Sequence, residues 1–125
     1  MKTQTELQQN LKRFTGSAHI FKVPMLNTGY TEGIRYLAEK ANCYWLITDA
    51  SIIGKRLISK SHFIVINFAY LSEEEQQQTS YTAKITYGDG NGKTFFTQGY
   101  EWTDFPLKTL KLFYIDDILL LPGEY

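Results

Sequence analysis

The 125 residues carry 13 Lys and Arg against 13 Asp and Glu, for a formal charge of zero, and 43% of positions are hydrophobic and 15% aromatic. That composition excludes a disordered chain, and the neutral balance removes the usual electrostatic argument for nucleic-acid binding. No apolar run approaches the roughly 18 to 20 residues of a membrane span, residues 1 to 6 lack a signal-peptide core, and one cysteine, Cys43, excludes an intrachain disulfide; the expectation is a single cytoplasmic domain over 1–125.

Charge is uneven along the chain: residues 1 to 62 hold nine basic and four acidic side chains, residues 63 to 125 four and nine. If the halves form separate layers, one surface is basic (Lys12, Arg13, Lys55, Arg56, Lys60) and another acidic (Glu73, Glu74, Glu75, Asp116, Asp117), which favours oriented docking of a partner. The plainer reading is charge spread for solubility.

Thr3-Gln4-Thr5-Glu6 fits a capping box, and Leu7, Leu11 and Phe14 recur at helical spacing up to Thr15-Gly16, so a first helix docks by one narrow stripe. Residues 17 to 26 hint at a short extended piece that Pro24 confines to an edge or loop. Asn27-Thr28-Gly29-Tyr30-Thr31 reads as a turn, with Thr31 capping a second helix built on Ile34, Leu37, Ala38 and Ala41. Gly33 in its first turn marks a place where another element can come close. Asn42 breaks the direction. Leu46, Ala50, Ile53 and Leu57 then keep helical spacing, which favours a helix over 43 to 59 above a strand from 44 to 48.

From Ser61 the period changes to two. His62, Ile64, Ile66 and Phe68 alternate with Phe63, Val65, Asn67 and Ala69, both sets largely apolar, as in a central strand. Residues 71 to 80, with Glu73-Glu74-Glu75-Gln76-Gln77-Gln78, read as a solvated hairpin loop. Tyr81, Ala83, Ile85 and Tyr87 form the dry side of the next strand, and Gly88-Asp89-Gly90-Asn91-Gly92 predicts a hairpin into a strand over 93 to 102. There Phe96, Tyr100 and Trp102 share one face, until Asp104-Phe105-Pro106 ends the strand. Leu110, Leu112 and Tyr114 alternate next, and Asp116-Asp117 turns the chain into a short last strand over 118 to 121.

Helices first and strands after argue for an α+β fold, with N-terminal helices packed on one face of an antiparallel β-meander of about five strands. Phe14-Thr15-Gly16, Tyr30-Thr31-Glu32-Gly33 with Tyr36-Leu37-Ala38-Glu39, Tyr44-Trp45-Leu46 followed by Asp49, Asp89-Gly90-Asn91-Gly92, Thr103-Asp104-Phe105-Pro106-Leu107, and Leu120-Leu121-Pro122 with Glu124-Tyr125 run in order through most of the chain. In these pieces the chain resembles a family of small bacterial proteins known only as a domain of unknown function and found near plasmid and phage-derived genes. The resemblance speaks to fold and carries over no catalytic or binding residue. That genomic company implies a mobile-element accessory role, such as binding and inhibiting a host defence nucleoprotein complex in the manner of anti-CRISPR proteins.

Catalytic constellations are poor. Cys43 with His19 and His62 lacks the surroundings of an activated thiol and supplies too few ligands for zinc, so a buried structural cysteine is expected. A calcium loop counted from Asp89 has Asn91 at its third position but Lys93 at its fifth and Tyr100 at its twelfth, so it is a turn. No phosphate-cradling glycine motif occurs. Asp49, Asp104, Asp116 and Asp117 read as structural, Asp49 through helix groups or an aromatic partner. A basic patch at Lys12, Arg13, Lys55, Arg56 and Lys60 without a reader motif leaves nucleic-acid binding third.

Surface tyrosines are better binding anchors, with Tyr30, Tyr70, Tyr100 and Tyr125 as candidates. The expected function is a non-catalytic protein-binding module with no cofactor and no metal. Its partner-binding candidates are Glu73, Glu74, Glu75, Tyr100, Trp102 and Tyr125, and its partner is a protein, a nucleoprotein effector complex among the classes considered. The alternatives are a small enzyme of unknown chemistry and a self-associating structural protein.

Overall fold

The computed structural model describes residues 4–16, 19–23 and 26–125. Among these, four helices and seven strands follow the order α1 (Gln4–Leu11), β1 (Ile20–Lys22), β2 (Gly29–Thr31), α2 (Glu32–Lys40), α3 (Tyr44–Leu57), β3 (Phe63–Tyr70), α4 (Glu73–Thr79), β4 (Ala83–Gly88), β5 (Thr94–Tyr100), β6 (Thr109–Ile115) and β7 (Ile118–Leu120), with a single 3₁₀ turn at Pro122–Glu124. Thr3 of the expected capping box and Pro24 of the expected strand limit lie outside the described residues.

Helices α1, α2 and α3 form where the apolar spacing places them. Thr31 caps α2, its hydroxyl oxygen accepting from the Ile34 amide at 3.4 Å, and the helix buries Ile34, Leu37 and Ala38. Asn42, with φ of 51°, takes the left-handed conformation that lets the chain reverse into α3. The segment from Tyr44 to Thr48 is the first turn and more of that helix, and α3 buries Leu46, Ile47, Ala50 and Leu57. Helix α1 stops a turn short of the expected end, yet Phe14 still packs against Tyr36 with ring centroids 5.3 Å apart.

One seven-stranded sheet has the order β1-β2-β7-β6-β3-β4-β5, antiparallel throughout except where β2 lies parallel to β7. Paired residues share a face, so Ile64, Ile66 and Phe68 of β3 line up with Leu112 and Tyr114 of β6 and with Ile85 and Tyr87 of β4. Helices α2 and α3 cover this face. All these side chains are buried in one cluster, each large one removed from water contributing about 1.5–3 kcal/mol. Phe63, Asn67, Thr86, Lys111 and Phe113 point to the opposite face and stay partly or fully exposed.

The structure corrects the expected five-stranded meander. Strand β6 does not pair with β5 but returns to lie beside β3, giving the spatial order β6-β3-β4-β5. Three hairpin-connected strands and a fourth beside the first make a Greek key, and the long connection through Phe105 and Leu107, both buried, allows the return. Gly29–Thr31, read as turn, is a strand that accepts β7 in parallel. Three residues are too short to show a period.

Residues 71 to 80 are not a loop. Ser72 and Glu75 close a capping box around α4: the Ser72 hydroxyl accepts from the Glu75 amide at 3.2 Å and the Glu75 carboxylate accepts from the Ser72 amide at 3.4 Å. The Ser-x-x-Glu spacing was there to be read; the run of like charges and amides obscured it. Nor do the charge halves segregate, because Lys55 of the basic half pairs with Asp117 of the acidic half at 3.2 Å.

Candidate interaction site

The residues that the sequence nominated as binding anchors do not converge. Glu73, Glu74 and Glu75 form the exposed first turn of α4. Tyr100, at the end of β5, points under α3, where its hydroxyl donates to the Asp49 carboxylate at 2.9 Å and its ring packs edge-on to Trp45. Trp102 lies past the strand end and is 75% exposed, so it does not share the strand face expected for it. Tyr125, 76% exposed, packs its ring against Phe63 and Phe113 at the opposite end of β3. Tyr70, another candidate, donates to the Phe105 carbonyl at 2.5 Å and is tied to the connection between β5 and β6.

The residues weighed for thiol or metal chemistry do not assemble either. Cys43 is buried, and that burial, with a smaller effect from Asp104, pushes its thiol up to about 12; a group so protonated is a poor nucleophile. His19 and His62 are both exposed, and the described residues hold no cluster of three His, Cys, Asp or Glu that could hold a metal ion. Burial and then the Asp49 charge push the Tyr100 hydroxyl up, so it stays a hydrogen-bond donor to Asp49. The aromatic partner expected for Asp49 is therefore Tyr100, and the pair ties β5 to α3.

A recess forms instead where β6 begins. Strand β7 pairs with residues 113–115 of β6 and then leaves, so that residues 109–112 have no strand beside them on that side among the described residues. The reason is local. Asp116 and Asp117 adopt positive φ, 53° and 61°, the two-residue turn that suits a tight hairpin. Five residues after Asp117, Pro122, which has no N–H to give a ladder, begins the 3₁₀ turn.

Glu124 ties that turn to the start of α2. Its carboxylate accepts from the Thr31 hydroxyl at 2.6 Å, the Gly33 amide at 3.2 Å and the Leu121 amide at 3.1 Å, at the positive end of α2. Gly33 is the close approach expected from the sequence: a Cβ there would stand 2.6 Å from both Glu124 Oε1 and Leu121 Cδ1.

The vacated lane opens into a groove of about 630 Å³ lined by the end of α1, the first half of β6, residues 67–69 of β3 and the start of the 3₁₀ turn. Its lining includes Leu11, Leu107, Leu110, Leu121, Lys12 and Lys111, and no carboxylate among the described residues. Both lysines are exposed. Sequence reasoning missed this site because it depends on where one strand stops pairing; the signal present was Pro122, directly after an apolar run that ends on Leu121.

The described residues hold no helix long and apolar enough to cross a membrane. No curated protein and no solved structure matches the chain. The sequence model of a family of unknown function, DUF6876, matches residues 5–125, and the chain belongs to that family.

Proposed function

We propose that the protein is a non-catalytic module that binds another polypeptide, with the groove beside β6 as its contact site. The observation that carries this reading is the half-paired strand: residues 109–112 of β6 border an apolar recess. A sheet edge with free backbone groups next to buried leucines is a place where another chain gains both hydrogen bonds and apolar contact. The inert state of the Cys43 thiol and the structural role of the Asp49–Tyr100 bond support a binding role over an enzymatic one.

The inhibitor role implied by the resemblance is a narrower form of the same proposal. A nucleoprotein partner would meet the exposed acidic first turn of α4 with basic surface, and that contact would set the rate and orientation of docking more than its strength.

Photocrosslinking in the producing cell tests the reading. A benzoylphenylalanine placed at Gln8, on the groove wall, is expected to give one discrete adduct with another polypeptide, and the same residue at Thr97 on β5 is expected to give none. Absence of any adduct from Gln8, Thr109 and Glu74 alike would remove the binding reading.

A further inference from the structure

The recess beside β6 has a shape, a backbone demand and a charge. We infer that its ligand is an extended acidic peptide segment that adds to β6 as a strand, with apolar side chains alternating with Asp or Glu. This deepens the binding proposal and rests on it, naming the partner class for the same groove.

The backbone comes first. The Tyr70 amide donates to the Lys108 carbonyl at 3.0 Å, so Lys108 turns its backbone toward β3. In an antiparallel ladder the direction alternates, so Thr109 and Lys111 turn theirs the other way, into the lane that β7 has left. The hairpin gives the same parity independently: Ile115 and Ile118 flank a two-residue turn and exchange backbone bonds, as Phe113 and Leu120 do, and the next residue in that series is Lys111. Continued one step, the β6–β7 register would bring Lys111 opposite Pro122, which already belongs to the 3₁₀ turn and has no N–H to answer its carbonyl. An incoming strand can.

The side chains then say what kind of strand fits. Leu110 shares the helix-covered face with Phe68, whereas Lys111 shares the open face with Asn67. A strand in this lane alternates between the same two sides. On the first it meets Leu110, beside Leu107, Leu11 and Leu121 of the lining, and needs apolar residues; on the second it meets Lys111 and gains from acidic ones, in a groove that Lys12 also lines and that has no carboxylate among its lining residues. The free edge of four residues is about 13 Å long, so a short segment suffices and a folded partner is not needed.

The probe is a displayed library of random decapeptides selected on the intact protein, followed by fluorescence titration of the enriched peptide. The expected result is a sequence alternating apolar residues with Asp or Glu, whose affinity falls at least tenfold when both Lys12→Glu and Lys111→Glu are introduced. N-methylation of every second peptide residue should cost at least tenfold in one register and less than twofold in the other, a test that leaves the protein unaltered. Lys111→Pro should match the damaging register, since this amide takes no part in the ladder with β3. Equal effects of the two methylation registers, enriched peptides without alternation, or no enrichment would each overturn the inference. A protein that elutes alone as a dimer, and as a monomer after Lys111→Pro, would also overturn it by naming a second copy as the occupant. A peptide that binds without register dependence leaves the binding proposal intact, whereas that proposal fails on the crosslinking result.

Discussion

The Tyr100 hydroxyl donates to the Asp49 carboxylate at 2.9 Å and joins the outermost strand of the sheet to the middle of α3. Hydrogen bonds to charged groups contribute about 1.5–3 kcal/mol. Tyr100→Phe is therefore expected to lower unfolding stability by about 1–2 kcal/mol in urea titration, and Asp49→Ala by a similar amount. In the double variant the losses should fall short of their sum. Full additivity would mean that the two residues do not act as a pair.

Glu124 supports α2 from the far end of the chain. Three donors, on Thr31, Gly33 and Leu121, converge on its carboxylate. Glu124→Ala is expected to cost about 2–3 kcal/mol, since it leaves those donors unpaired and removes a negative charge from a helix N-terminus. Gly33→Ala should cost about 1–3 kcal/mol by forcing Leu121 and Glu124 aside. Thermal unfolding of both variants checks this; a Tm unchanged for Gly33→Ala would show that the contact relaxes freely.

Helix α4 buries no residue, so its stability is local. Ser72→Ala should cost about 1 kcal/mol of local helix stability and speed amide exchange across Glu73–Thr79 with little change in global unfolding. Charge reversal needs care at this place. Glu73→Lys with Glu74→Lys tests steering while keeping the capping box, whereas Glu75→Lys also breaks the box and loosens the helix. Exchange mass spectrometry should separate the two.

Alkaline pH should destabilise the fold. Burial pushes the hydroxyls of Tyr87, Tyr100 and Tyr114 up from their usual value near 10, and the Cys43 thiol from about 9 up to about 12. The unfolded state releases these protons first. Stability is therefore complete below about 9 and declines as pH rises through the raised values. Tyrosinate absorbance and unfolding should rise together above pH 10, and Cys43 should resist thiol reagents at pH 8 until denaturant is added. Fast native labelling at pH 8 would contradict the burial argument.

Much of the architecture was legible because its signals are local. Thr31 caps a helix by reaching three residues ahead, Gly88-Asp89-Gly90-Asn91-Gly92 turns within itself, and Asp116-Asp117 takes a backbone conformation that two residues decide between them. Apolar spacing likewise placed α3 and β3, since one-sided burial leaves its period in the chain. Even α4 was written in Ser72 and Glu75.

Pairing between distant segments was not. That β6 lies beside β3, that β7 accepts the three-residue β2 in parallel, and that Glu124 closes on Gly33 depend on which surfaces meet after the helices cover one face. The groove belongs to this second class. It exists because β7 is shorter than β6 and a 3₁₀ turn begins at Pro122 in place of further pairing, a difference between two strands that no single stretch contains.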